Sequence, residues 1–123
     1  MLDEEMAEII GSPDCGNSPR NKFAQDVAIA LEVGADKPEQ FDAKAVWTRS
    51  SEEHIRGRDA LIAAINAKRN PDKIIVEHAI SHGKTSAVSG EVILATGESY
   101  RFCHVIAFTT AKANCVAAVV SYG

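Results

Sequence analysis

Apolar positions recur in two rhythms along this chain. Up to about Asn70 they fall at helical spacing, and beyond Pro71 they alternate as in strands. Leu2, Met6, Ile9 and Ile10 form a helical stripe behind Asp3, Glu4 and Glu5, which predicts a short first helix stopped by Gly11-Ser12-Pro13. Residues 12–19 are rich in Ser, Pro, Asp, Gly and Asn and read as a loop. Ser18-Pro19 is a capping residue followed by proline, which predicts a helix over about 19–33 with Phe23, Val27, Ala30 and Leu31 on one face and Gly34 at its end. Ala45 to Arg49 reads as a short strand. Gly57 opens a further helix carrying Asp59, then Leu61, Ile65 and Lys68 along one stripe, closed by Lys68-Arg69 and Asn70-Pro71.

From residue 73 onwards the pattern predicts four strands, at 73–82, 86–95, 99–109 and 115–122, with turns at Gly83-Lys84, Thr96-Gly97 and Lys112 to Asn114. Even positions carry Ile74, Val76, His78 and Ile80; Val88, Gly90, Val92 and Leu94; Tyr100, Phe102, His104, Ile106 and Phe108; and Val116, Ala118, Val120 and Tyr122. Odd positions carry Glu77, Ser81, Ser89, Glu91, Arg101 and Cys103 among small apolar residues such as Ala79, Ala87, Val105, Ala107, Ala117 and Val119. Loops of odd length would put every even position on one face of the sheet, so three-residue loops at 83–85 and 96–98 are expected. The helices are expected to cover that even face.

The even face is then apolar except for His78 and His104, which the expected register sets on either side of Gly90, about 10 Å apart. Polar groups in an apolar wall are how small-molecule pockets are built, and an imidazole there serves as acid, base or donor. Trp47, Tyr100 and Phe102 are candidate walls. The competing reading is a pair of half-buried core histidines. His78 and His82 are about 13 Å apart on a strand and cannot share one metal ion, so no metal and no cofactor is expected. Arg56-Gly-Arg58 lacks the ending of a phosphate loop and reads as a helix entry, and Ser50 to His54 reads as a solvated turn.

Composition narrows the class. The chain has 123 residues, 46% hydrophobic and 24% charged, which suits one globular domain over 1–123. No apolar run reaches a membrane span of ~20 residues, and the acidic start is not a signal peptide. A net charge of −4 disfavours nucleic acid. Cys15, Cys103 and Cys115 form no CxxC pair and leave one over, which points to a reduced, cytoplasmic setting.

Val33-Gly34, Ala45-Val-Trp47, Ile55-Arg-Gly-Arg58-Asp59 and Phe102 to Phe108, in that order and spacing, resemble the nuclear-transport-factor-2-like superfamily, also called SnoaL-like or cystatin-like α+β. The resemblance runs from about residue 19 to the last residues. It implies a cone-shaped curved antiparallel sheet wrapped around N-terminal helices, enclosing an apolar pocket, and often a homodimer. Ketosteroid isomerases of this superfamily use an aspartate base beside a tyrosine and a protonated aspartate. By resemblance these positions fall on Thr48, Val27 and His104. Threonine is no base at neutral pH and valine donates no hydrogen bond, so isomerase activity is not expected. The resemblance implies a ligand pocket of His104, His78, Trp47, Tyr100, Phe102, Thr48 and Val27 that holds a small apolar or partly polar molecule. The alternative is a non-catalytic dimeric association or scaffold domain. A homodimer is expected through the odd face, with Glu77, Glu91 and Arg101 at its margin.

Overall fold

Ser18 caps the longest helix as its sequence requires, its side chain accepting from the Asn21 amide at 3.2 Å with Pro19 in the first turn. The computed structural model describes residues 7–34, 37–49, 53–67, 71–112 and 114–122. The described elements are β1 (Glu8–Ile10), α1 (Pro19–Val33), β2 (Phe41–Thr48), β3 (His54–Arg56), α2 (Arg58–Asn66), β4 (Lys73–His82), β5 (Thr85–Ile93), β6 (Ser99–Phe108) and β7 (Val116–Tyr122). They form an α+β fold, two helices on a curved, unclosed mixed sheet of seven strands in the order β1-β4-β5-β6-β7-β2-β3. No helix among the described residues is long and apolar enough to cross a membrane.

The expected four-strand meander is its centre, β4 through β7, and α1 packs on β4 and β5 while α2 packs on β2. The buried core includes Val27, Leu31, Phe41, Trp47, Leu61, Ile65, Ile74, Val92, Phe102 and Ile106, so the apolar face faces the helices as hydrophobic burial demands. Gly57, at φ 95, turns the chain from β3 into α2 in a conformation that suits only glycine.

Three expectations are corrected. Residues 8–10 are not helical. They pair with Lys73–Ile75 as a parallel edge strand, the Glu8 amide donating to the Asp72 carbonyl at 3.0 Å. The open edge of β4 supplies backbone partners that outweigh a weak local stripe. Residues 1–6, where that stripe begins, lie outside the described residues, as do Ser50 to Glu52 of the expected turn and Lys68 to Asn70 of the expected helix end.

The first hairpin loop is Gly83-Lys84, two residues and not three, since His82 pairs with Thr85. That pairing would mix the faces along the whole hairpin. A bulge between Val76 and His78 reverses the parity and returns Ile74 and Val76 to the inner face, opposite Val92 and Gly90. Between the bulge and the turn the expected faces are exchanged: Ala79 is buried, whereas Ile80 is 60% exposed. The β5–β6 loop is odd as expected and keeps even with even, but it spans residues 94–98 and not 96–98, which sets Gly90 against Phe102 in place of His104.

The third correction is on β7. A bulge beside Phe108 exchanges its faces too, so Val119 is buried while Ala118 and Val120 pair with the outward Ala107 and Val105. Bulges are extra residues that bend a strand and increase twist, and these breaks of register lie in a sheet that is curved.

Candidate functional site

The inner face carries a polar row around His104 within a largely apolar lining. On β6, His104 pairs with Val88 on one side and Ser121 of β7 on the other. Its ring stacks on Phe102 with centroids 5.2 Å apart. His104 Nε2 lies 2.8 Å from Oε2 of Glu32, near the end of α1, and the two side chains are 3% and 2% exposed. The other oxygen of Glu32 accepts from the Tyr100 hydroxyl at 2.7 Å. On the far side His104 Nδ1 is 2.6 Å from Ser121 Oγ, and that oxygen accepts from Trp47 Nε1 at 2.8 Å.

Partner chemistry orients every proton of this chain in its neutral-imidazole form. Indole N–H only donates, so Ser121 Oγ accepts from Trp47 and turns its own proton to His104 Nδ1. A carboxylate only accepts, so Nε2 carries the imidazole proton, and Tyr100 donates to the same carboxylate. The donors therefore converge on Glu32 from both ends. Burying a carboxylate and an imidazole costs several kcal/mol unless they are paired, and this set of bonds supplies the pairing.

Arg49 closes one side, its guanidinium 4.5 Å above the Trp47 ring and its Nε 3.7 Å from Oε1 of Glu53. Arg49 and Ser121 each follow directly on Thr48 and Val120, paired across β2 and β7.

Of the residues expected at the site, the fold brings His104, Trp47, Tyr100 and Phe102 together. Trp47, His104 and Phe102 are buried, and Tyr100 is 36% exposed. Val27 is fully buried in α1. His78 is corrected: beyond the β4 bulge it pairs with Ser89 on the outer face, its side chain 72% exposed and 3.5 Å from Asp14. Thr48 is corrected too. It pairs with Val120, alternates with buried Trp47, and meets His54 Nδ1 at 3.0 Å. Gly90 does not separate two imidazoles; it lies between Val76 and Phe102.

Glu32 and Ser121 were missed. Glu32 sits on a helix whose stripe was read from apolar residues alone; its place one residue after Leu31 was the available signal. Ser121 has no such signal, because the β7 bulge that turns it inward leaves no mark in the sequence.

No protein-family model matches the chain, and no curated protein matches it. Solved structures do. A nuclear-transport-factor-2-like protein of unknown function from Mesorhizobium loti superposes with a TM-score of 0.68 at 14% identity, over 92% of this chain and 97% of that one. Another, from Cytophaga hutchinsonii, gives a TM-score of 0.62 at 13% identity over 84% and 97%. A de novo designed protein with a curved β-sheet gives 0.70 at 12% identity, over 83% of this chain and 82% of that one. The chain therefore has the nuclear-transport-factor-2-like fold.

Proposed function

We propose that this nuclear-transport-factor-2-like domain binds a small apolar or partly polar molecule against the inner face around His104, Trp47, Tyr100 and Phe102. The observation that supports this is the buried Glu32–His104 pair, set in a largely apolar wall and linked to the part-exposed Tyr100. A domain needing only a filled interior gains little from such a pair, because apolar residues of similar volume are often as stabilising. Buried, paired ionisable groups instead gather at functional sites. The ligand class follows from the lining: aromatic and aliphatic surface for most of the molecule, with few polar groups to orient it.

The fluorescence of Trp47, the single tryptophan, reports occupancy directly. Titration with a panel of apolar small molecules is expected to change it for at least one. His104→Ala is expected to weaken that ligand by about 1–3 kcal/mol, the worth of a desolvated hydrogen bond. A panel without response, or an affinity untouched by His104→Ala, overturns the reading.

This reading excludes ketosteroid isomerase activity. Thr48 is no base and lies on the outer face, and Val27 donates nothing. Loss of a general base commonly costs ~10²–10⁴-fold, so negligible isomerisation of a ketosteroid is expected.

The partner we propose is a second copy on the outer face. Ala87, Val105 and Val120 form a lateral row there, and Glu77 pairs with Arg101 on the same sheet. Small and branched residues with charges nearby suit a modest, partly polar interface used twice.

A further inference from the structure

We infer that Ser121 is a nucleophile activated by His104 and held in register by Glu32, and that the site accepts acyl or phosphonyl groups from small apolar esters. The inference rests on the ligand site proposed above and adds a reaction to it.

The arrangement is that of an activated hydroxyl. A base nitrogen, Nδ1, lies 2.6 Å from Ser121 Oγ, and the opposite nitrogen is clamped at 2.8 Å by a carboxylate. The imidazole thus has one tautomer and one orientation, further fixed by the stack on Phe102. Burial is graded in the useful sense: Glu32 and His104 are almost fully enclosed, while Ser121 is half-buried. Trp47 N–H holds Oγ so that its proton faces the base. The Arg49 guanidinium covers the indole that holds Ser121 and is paired with Glu53, Nε to Oε1 at 3.7 Å.

The step balances within these groups and water. Ser121 Oγ bonds to the carbonyl carbon while its proton passes to His104 Nδ1. The ester C–O bond breaks, and the same proton leaves with the alcohol. Water then adds to the acyl group, gives a proton to His104, and releases the acid as the proton returns to Ser121. With an alkyl fluorophosphonate the first half occurs alone: fluoride leaves and the phosphonyl group stays on Ser121. Ser121 and His104 are catalytic in this scheme; Glu32 is a positioning residue.

The experiment is labelling of the full chain with an alkyl fluorophosphonate, read by intact mass and peptide mapping. One phosphonyl group on Ser121 is expected, and none in Ser121→Ala. His104→Gln is expected to slow labelling by ~10²-fold or more, the usual worth of a general base. Glu32→Gln is expected to lower the maximal labelling rate with little change in the concentration giving half that rate, and Glu32→Asp to restore part of it. Circular dichroism confirms folding of each variant. Absence of label on folded wild-type protein overturns the inference, as does label elsewhere or a rate indifferent to His104→Gln. Because Trp47 fluorescence measures binding separately, an apolar ligand that binds where no label forms overturns the nucleophile and leaves the binding site standing.

Discussion

Gly90 is the residue for which the curved sheet leaves no room. A β-carbon there would run into the Ile75 carbonyl oxygen and lie 2.9 Å from the Phe102 ring. The first contact is backbone, which cannot rotate away. Gly90→Ala is therefore expected to destabilise by about 3 kcal/mol, at the upper end of ordinary overpacking, measured by urea unfolding. The buried pair makes a different prediction. His104→Leu leaves Glu32 Oε2 without its imidazole and is expected to cost about 3 kcal/mol. Adding Glu32→Met to it is expected to recover most of that loss, since an apolar pair no longer needs solvation. If the double variant is as unstable as the sum of the two singles, the pair is not coupled as its geometry requires. Cys15 also carries a testable shift. Burial, more than the neighbouring Asp14 and Asp26, pushes its thiol above the ordinary range of 9.0, against the lowering effect of Lys22. A raised value means less thiolate at a given pH, so Cys15 is expected to alkylate more slowly than a free thiol at pH 8, with the rate still climbing above pH 9.0.

The β4 bulge depends on the loop that precedes α1. Asp14 accepts from the Ala79 amide at 3.2 Å, and the Ser12 hydroxyl donates to the Glu77 carbonyl at 3.0 Å. These bonds serve backbone groups at the bulge. Gln25, buried on α1, holds the loop in turn by accepting from the Ser12 amide at 2.8 Å. The loop thus ties the helix to the strand where the strand changes face. Asp14→Ala is expected to cost about 1–2 kcal/mol and to speed hydrogen exchange at Ala79 selectively. Equal exchange in wild type and variant would show that the bulge stands without this contact.

For the whole molecule, the sheet separates two faces of unlike composition. The inner face is covered by the helices and carries the polar row; the outer face carries an apolar strip through Ala87, Val105 and Val120, with the Glu77–Arg101 pair nearby. A homodimer through that strip is expected, with a mass twice that of the 13.2 kDa chain by light scattering at micromolar concentration. Ala107→Glu, placed opposite Ala118 on the outer face, is expected to return the monomer by setting an uncompensated charge in the interface. A wild-type mass near 13.2 kDa removes the dimer, and a dimer indifferent to Ala107→Glu moves the interface to another surface.

The sequence by itself determined the elements that depend on neighbours along the chain. Ser18-Pro19 and Gly34 bracket α1, Gly57 precedes α2, and alternation marks the strands of the meander, because capping, turn chemistry and period are local. It also determined that His104 lies on an apolar face, since β5 and β6 keep their parity across an odd loop. Tertiary structure alone decided where parity breaks. A bulge inserts one residue without a distinct local pattern, yet it moves every side chain on one side of it to the other face. That single effect sends His78 outward on β4 and turns Ser121 inward on β7. Likewise only packing brought Glu32 to His104, for they stand 72 residues apart and no periodicity records which buried carboxylate a distant imidazole will meet.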